Sequence, residues 1–111
     1  MARALPSVPI LGGPDRAVLA QKAIKEFSPD VLLMDDGFQH FKLARDLDVV
    51  VTDGANPVGN GFVMPRGPLR EPFGAVRKAG LTWITRVEQA RPAEVEKLAQ
   101  QLKKMTKTPP V

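Results

Sequence analysis

The amino-acid sequence predicts an α/β fold with a mostly parallel sheet and flanking helices, on three observations. First, Val31–Met34 and Leu47–Thr52 are apolar with little alternation, which is typical of strands buried on both faces of a parallel sheet. Second, residues 14–27 and 92–105 carry apolar residues at helical spacing. Third, the patterns follow one another in the order strand, helix, three strands, helix, which favours a sheet covered by helices.

The first predicted elements are a short strand and a helix. Val8–Leu11 is the predicted strand, and Gly12-Gly13 forms the turn that ends it. The helix is predicted from Pro14 to Phe27, where Ser28-Pro29 stops it. We expect its apolar face to cover the sheet, and that face consists of Ala17, Ala20, Ile24 and Phe27.

Three further strands and a second helix are predicted downstream. The strands are Asp30–Asp35, Leu47–Thr52 and Leu81–Arg86. Residues 53–72 are rich in Gly and Pro, and a loop of that length beside strand ends is usually functional. The helix runs from Pro92 to about Met105, with an apolar stripe that consists of Val95, Leu98, Ala99, Leu102 and Met105.

Length and composition describe an ordinary folded domain and exclude several classes of protein. The chain has 111 residues, enough for one domain, and a net charge of +4, which suits phosphate groups or an anionic membrane surface. It has no cysteine and one histidine, which excludes disulfide frameworks and argues against structural zinc. Basic and aromatic residues are not interleaved as in single-strand nucleic-acid binders, so no nucleic-acid partner is predicted.

Carboxylates follow two of the predicted strands, at the sheet edge where parallel α/β proteins bind ligands. Asp35 and Asp36 end the second strand, and Asp53 follows the third. The adjacent pair could hold Mg²⁺ that bridges phosphate oxygens. Alternatively, one aspartate could cap the following turn while the other is solvated. The residues alone leave both interpretations open.

Four other polar residues are candidates for the same site. His40 could be a metal ligand, a general base or a phosphate donor, although a lone histidine is more often a surface residue. Arg16, in the first helical turn, and Arg70, on the Gly-rich loop, suit phosphate binding. The simpler alternative is a solvated arginine or, for Arg70, a solvated pair with Glu71. No Gly-x4-Gly-Lys-Ser/Thr run occurs, so this sequence contains no P-loop.

Three segments in order resemble the tetraacyldisaccharide 4′-kinase family of Gram-negative bacteria: "DDGFQHFKLARDLDVVVTDG", "GNGFVMPRGPLREP" and "LTWITR". The resemblance implies part of a P-loop NTPase-like kinase domain. Such a kinase transfers the γ-phosphate of ATP to the 4′-hydroxyl of tetraacyldisaccharide 1-phosphate in lipid A biosynthesis. It also implies a peripheral enzyme on the cytoplasmic face of the inner membrane, where the basic charge balance and the apolar Phe62, Val63 and Met64 of the loop would suit an anionic surface.

The resemblance further implies roles for individual residues. An acidic pair of the family lies near Mg²⁺ and the ATP phosphates, and the rest of its motif lines the same cleft. The implied catalytic residues are Asp35, Asp36 and His40, with both aspartates holding Mg²⁺. The residues implied to bind substrate or phosphate are Arg16, Gln39, Arg70 and Glu71.

Two parts of these kinases, the P-loop and a C-terminal lobe, have no counterpart in this sequence. Phosphoryl transfer depends on positioning and charge neutralisation, which the P-loop largely supplies. Residues 1–111 are therefore expected to form a partial kinase domain that is inactive without the missing kinase segments. The alternative is a non-catalytic α/β remnant or binding module.

Overall fold

The computed structural model describes residues 5–111 and divides the chain into two compact units. The first unit ends at Ala44, and the second comprises Arg45–Val111. A small sheet lies in the second unit, whereas the first contains one α-helix and irregular chain. The predicted α/β character is therefore found in the second unit.

The sheet consists of two parallel strands, β1 (Val49–Asp53) and β2 (Leu81–Thr85). Val51 lies opposite Trp83 at the centre of the pair. The two strands confirm the third and fourth predicted strands, with ends that differ by one or two residues. They also confirm the parallel arrangement that the continuous apolar runs predicted.

The connection from β1 to β2 returns the chain to the same end of the sheet, as parallel pairing requires. It contains the Gly- and Pro-rich loop and a 3₁₀ helix, Phe73–Lys78. Helix α2 (Pro92–Met105) packs against this 3₁₀ helix. The buried side chains of the second unit come from both strands, from these two helical elements and from Ala79, which follows the 3₁₀ helix: Thr52, Val76, Ala79, Thr82, Leu98 and Leu102.

α2 begins and ends where its sequence favours a helix. Pro92 occupies the first helical position, where a backbone N–H is not needed. Glu94 lies in the first turn and two lysines lie in the last, which complements the helix dipole. The amide and hydroxyl of Thr106 both donate to the Leu102 carbonyl, each at 2.9 Å, and end the helix. The predicted bounds of this helix are confirmed.

Val111 forms hydrogen bonds with the edge of β2 that faces away from β1. The Val111 amide donates to the Thr82 carbonyl at 2.9 Å, and its own carbonyl accepts from the Ile84 amide at 2.8 Å. This pair of bonds is the pattern of a residue in a parallel strand. The Thr108 hydroxyl donates to the Gly80 carbonyl at 2.7 Å and fixes the segment that leads to Val111.

The first unit contains helix α1, Arg16–Phe27. Asp15 caps it, because Oδ1 accepts hydrogen bonds from the amides of Ala17 and Val18 at 2.9 and 3.1 Å. The helix ends at Ser28, which has a left-handed conformation with φ 43°. The predicted helix is confirmed, and it begins two residues later than expected.

Two of the four predicted strands do not form. Val8–Leu11 and Asp30–Asp35 pair with no strand among residues 5–111. Val31 and Leu33, which were predicted to be buried, are 71% and 94% exposed. The prediction was wrong because an apolar run is a buried strand only where neighbours supply its hydrogen bonds and cover its faces. The described residues do not supply these neighbours.

The apolar face of α1 is also more exposed than predicted. Ala23 is buried, whereas Ile24 and Phe27, which were expected to cover a sheet, are exposed. The first unit contains no strand among its described residues for this face to cover. Within residues 5–111, no helix has both the length and the apolar character needed to cross a bilayer.

Candidate functional site

The predicted acidic motif forms a compact turn in the first unit. Asp35 and Asp36 lie at its start, and the His40 amide donates to the Gly37 carbonyl at 2.9 Å. Both aspartates and Gln39 are exposed, whereas His40 is half-buried. Four of the predicted site residues are therefore brought together in one short segment.

Local sterics explain why the chain turns here. A Cβ on Gly37 would lie 2.7 Å from both Cγ and Sδ of Met34, closer than real side chains approach. Asp36 has φ 53°, in the left-handed region that aspartate tolerates better than most residues. The packed Met34 and the left-handed Asp36 thus place two successive carboxylates on an exposed turn.

The donor set of this turn fits Mg²⁺. Asp35 and Asp36 offer two exposed carboxylates, and no group of three or more His, Asp or Glu side chains suited to a metal occurs in residues 5–111. Mg²⁺ is usually held by one or two carboxylates, with waters and substrate phosphates as its other ligands. An acidic pair is therefore enough for a magnesium-phosphate complex, though not for a metal enclosed by protein ligands.

Arg16 is the first residue of α1 and is half-buried. Its position suggested that the helix N-terminus would help it to bind an anion. However, the amides of Ala17 and Val18 already bind the Asp15 carboxylate. A phosphate at this position would therefore depend on the Arg16 guanidinium rather than on those two amides.

Arg70 and Glu71 lie in the second unit, where the Gly- and Pro-rich loop approaches the 3₁₀ helix. Arg70 is exposed and Glu71 is half-buried. Lys78 Nζ, on the 3₁₀ helix, lies 3.5 Å from Glu71 Oε2. Because Lys78 is largely exposed, this long contact contributes little to stability, but it directs the Glu71 carboxylate toward the helix.

Asp53, the carboxylate at the end of β1, has a structural role. Its Oδ2 lies 2.7 Å from Nη2 of Arg86, just after β2. Its Oδ1 accepts hydrogen bonds from the amides of Ala55 and Asn56 at 2.9 and 3.4 Å. Both oxygens are thus used to join the ends of the two strands and to start the loop.

A shallow cavity of about 240 Å³ lies beyond the carboxyl end of β1, where α/β sheets commonly bind ligands. It is slightly smaller than the usual ligand site of about 300–1,000 Å³. Lys97 and Gln101, one helical turn apart on α2, were not predicted as site residues, since such spacing is common on solvated helices. The lining consists of Gly54, Ala55, Pro57, Glu94, Lys97, Leu98 and Gln101.

Comparison with known proteins identifies the family. A protein-family model described as "Tetraacyldisaccharide-1-P 4'-kinase" matches residues 1–110. A tetraacyldisaccharide 4'-kinase of Anaeromyxobacter sp. (strain Fw109-5) is 57% identical over 98 residues, which are 88% of this chain and 26% of the relative. That of Anaeromyxobacter sp. (strain K) is 50% identical over 111 residues, which are 100% of this chain and 29% of the relative.

A more distant relative agrees with these matches. The tetraacyldisaccharide 4'-kinase of Syntrophus aciditrophicus is 49% identical over 82 residues, which are 73% of this chain and 22% of the relative. No solved structure matches the chain. The chain spans between 22% and 29% of the length of these three curated relatives. Since the family model matches nearly every residue, the chain belongs to the tetraacyldisaccharide-1-P 4'-kinase family.

Proposed function

We propose that this chain supplies the Mg²⁺- and phosphate-binding part of a kinase that transfers the γ-phosphate of ATP to the 4′-hydroxyl of tetraacyldisaccharide 1-phosphate. The family match over residues 1–110 carries the proposal. The exposed acidic turn supports it, because two adjacent carboxylates suit a magnesium-phosphate complex. The family match does not favour a non-catalytic α/β remnant or binding module.

Asp35 and Asp36 are proposed to hold Mg²⁺ beside the ATP phosphates. Bound there, the ion would supply positive charge that neutralises the charge developing on the phosphates during transfer. The turn contributes by keeping both carboxylates exposed on a segment that Gly37 and Met34 pack tightly. Both aspartates are therefore exposed at the position where the proposal places the magnesium-phosphate complex.

The other site residues are proposed to contact substrate. Gln39 and His40 follow the aspartates in the same turn and would line the cleft with polar groups. Arg16 and Arg70 carry guanidinium groups, which can donate two hydrogen bonds to one phosphate. Glu71 is the remaining contact in the proposal, and its carboxylate lies 3.5 Å from Lys78 Nζ.

Transfer by the isolated chain is not expected. In P-loop kinases a backbone loop and its lysine cradle the β- and γ-phosphates. The sequence contains no Gly-x4-Gly-Lys-Ser/Thr run, and its length is about a quarter of that of its relatives. We therefore propose that activity requires the remaining kinase segments as partners. The assembled enzyme would act at the cytoplasmic face of the inner membrane.

A chimeric kinase tests this proposal. Residues 1–110 would replace the matching segment of the full-length Anaeromyxobacter (strain K) relative, and transfer of labelled γ-phosphate to tetraacyldisaccharide 1-phosphate would be measured. We expect the chimera to be active. Asp36→Asn should lower transfer roughly 100-fold, since loss of a metal ligand removes several kcal/mol of charge stabilisation.

Asp30→Asn is the matched control, because Asp30 is an exposed carboxylate of the same unit outside the turn. It should leave transfer within about twofold of the chimera. Equal activity of the Asp36→Asn and Asp30→Asn chimeras would refute the assigned role of the acidic turn. Failure of the parent chimera to transfer phosphate, while folded, would count against the proposed function as a whole.

A further inference from the structure

Three successive apolar side chains are exposed on the Gly- and Pro-rich loop. Phe62, Val63 and Met64 are 45%, 37% and 67% exposed. Exposed apolar residues are common singly, but a consecutive exposed set on one loop is the kind of surface that meets a partner. We call residues 62–66 the loop tip.

The loop tip is held in a defined conformation by its own hydrogen bonds. The Met64 amide donates to the Leu69 carbonyl at 2.8 Å, and the Leu69 amide donates to the Phe62 carbonyl at 3.2 Å. From the other side, Asn60 Nδ2 donates to the Arg66 carbonyl at 2.8 Å. Exposure of the apolar side chains is thus a property of an ordered loop.

Glycine is needed for this conformation. A Cβ on Gly67 would overlap Asn60 Oδ1 and the carbonyl oxygen of Phe62. The Asn60 Oδ1 also accepts the Phe62 amide at 3.2 Å, so this side chain joins both arms of the loop. A side chain at position 67 would separate the arms and move the apolar residues.

The charge around the loop tip has one sign. Residues 57–70 contain two arginines and no Asp or Glu. The Arg66 guanidinium lies over the Phe62 ring, 4.0 Å from its centroid, and the residue is exposed. The Arg66 cation is therefore placed beside the exposed apolar side chains, and an anionic partner would complement it.

We propose that the loop tip inserts into the interfacial region of an anionic phospholipid bilayer. Apolar side chains would enter the boundary between headgroups and acyl chains, while Arg66 contacts the lipid phosphates. Each basic residue near an anionic surface adds to binding, and the apolar residues add burial that salt does not screen. The inference deepens the proposed function, on which it rests, by naming the element that brings a lipid-modifying kinase to its membrane-embedded substrate.

Vesicle binding tests the proposal with the 111-residue chain itself. Sedimentation would compare vesicles of phosphatidylglycerol and phosphatidylcholine in equal parts with vesicles of phosphatidylcholine alone. We expect binding to the anionic vesicles to exceed binding to the neutral vesicles by at least about tenfold. The substitutions Phe62→Ser and Met64→Ser together should weaken binding to anionic vesicles about tenfold or more.

Val87→Ser is the matched control, because Val87 is 46% exposed, close to the value for Phe62, but lies outside the loop. Circular dichroism would confirm that each variant retains the helix content of the parent chain. Equal binding of the loop variant and the Val87 variant would overturn the proposal. So would tight binding to a protein partner with no preference for vesicles.

Tryptophan fluorescence provides a second, direct readout. Trp83 is the single tryptophan, so Trp83→Phe removes the native signal. In that background, Phe62→Trp should shift its emission to the blue on anionic vesicles and be quenched by brominated lipids, whereas Val87→Trp should change little. An unshifted Phe62→Trp reporter, or equal shifts at both positions, contradicts insertion of the loop tip.

The outcomes separate this inference from the kinase proposal. Vesicle binding requires neither ATP nor Mg²⁺, so it is measured in their absence. A chimera that fails to transfer phosphate, combined with normal vesicle binding, would refute the kinase role alone. An active chimera that is unaffected by Phe62→Ser and Met64→Ser in both vesicle binding and transfer to vesicle-embedded substrate would refute the membrane role alone.

Discussion

Two Asp-Gly sequences, each placed after a run of apolar residues, use their carboxylates differently. Asp35 and Asp36 precede Gly37 in a turn where both side chains are exposed. Asp53 precedes Gly54, but its oxygens bind Arg86 and two loop amides. The difference teaches that the same dipeptide can leave a carboxylate exposed or half-buried among contacts between two strand ends, depending on what lies nearby.

The apolar runs before these sequences differ in the same way. Val49–Asp53 pairs with β2 and carries the buried Thr52. Val31–Leu33 has no strand partner among the described residues, and its side chains are exposed. The second unit therefore has a small core and a defined ladder, whereas the described residues of the first contain no strand.

The largest expected effect is on stability, and it compares a buried leucine of the second unit with an exposed leucine of the first. Leu102→Ala should lower the free energy of unfolding of the second unit by about 2–5 kcal/mol, because Leu102 is fully buried between secondary-structure elements. Leu33→Ala, in the first unit, should change the same free energy of unfolding by less than about 0.5 kcal/mol, because the Leu33 side chain is almost fully exposed. Urea unfolding followed by Trp83 fluorescence would measure both values. Equal destabilisation would mean that the first unit shares a core that its exposure does not reveal.

The next effect separates the two Asp-Gly sequences by their use of Mg²⁺. In the chimeric kinase, Asp36→Asn should raise the Mg²⁺ concentration needed for half-maximal transfer by about tenfold or more. Asp53→Asn should leave that concentration unchanged, since both Asp53 oxygens already have protein partners. A titration of transfer against Mg²⁺ at saturating ATP makes the comparison. A larger shift for Asp53→Asn would reverse the roles assigned to the two sequences.

The effects on stability should rank in the opposite order, with Asp53→Asn more destabilising than Asp36→Asn. Asp53→Asn should cost about 1 kcal/mol in the isolated chain, because it weakens the partly exposed ion pair with Arg86 and the acceptor for two amides. Asp36→Asn should cost less than about 0.5 kcal/mol, because the residue is exposed and asparagine adopts the left-handed region as readily as aspartate. Urea unfolding at low and high salt would test this, and the Asp53 effect should shrink at high salt.

The smallest expected effect on stability concerns Gly37 and Gly54, the glycines of the two Asp-Gly sequences. Gly54→Ala should destabilise by about 1 kcal/mol, since a Cβ would lie 3.0 Å from the rigid Thr85 carbonyl oxygen. At Gly37 the obstacle is the flexible Met34 side chain, and Gly37→Ala combined with Met34→Ala should restore the turn. Amide exchange at His40, whose N–H bonds to the Gly37 carbonyl, would report its opening. Failure of the second substitution to restore protection would show that Met34 is not the obstacle.

Several features of the fold could be predicted from sequence because they depend on neighbours within a few residues. Helix α1 begins after a capping Asp15, and α2 begins at Pro92. The Asp-Gly turn at position 36 likewise needs only its own backbone preferences and the packing of Met34. The residues of this turn could therefore be singled out from local sequence, whereas the buried strand that was predicted to lead into them does not form.

Other features could not be predicted because distant residues decide them. The apolar run at residues 31–34 has the composition of a buried strand, and yet no strand pairs with it within residues 5–111. The run at 49–53 is similar in composition but pairs with β2. Hydrophobic sequence shows that a segment can be buried, but the presence of a hydrogen-bonding neighbour decides whether it is.

By itself, the sequence determined the helices, the position of the acidic turn and, through ordered motifs, the family of the protein. Only the tertiary structure decided that Asp53 pairs with Arg86, and that Arg66 lies over Phe62 at an exposed loop tip. Helical caps and turns form from short-range hydrogen bonds and sterics, which local sequence encodes. Ion pairs between strand ends and the exposure of a loop depend on how remote segments meet, and no short pattern contains that information.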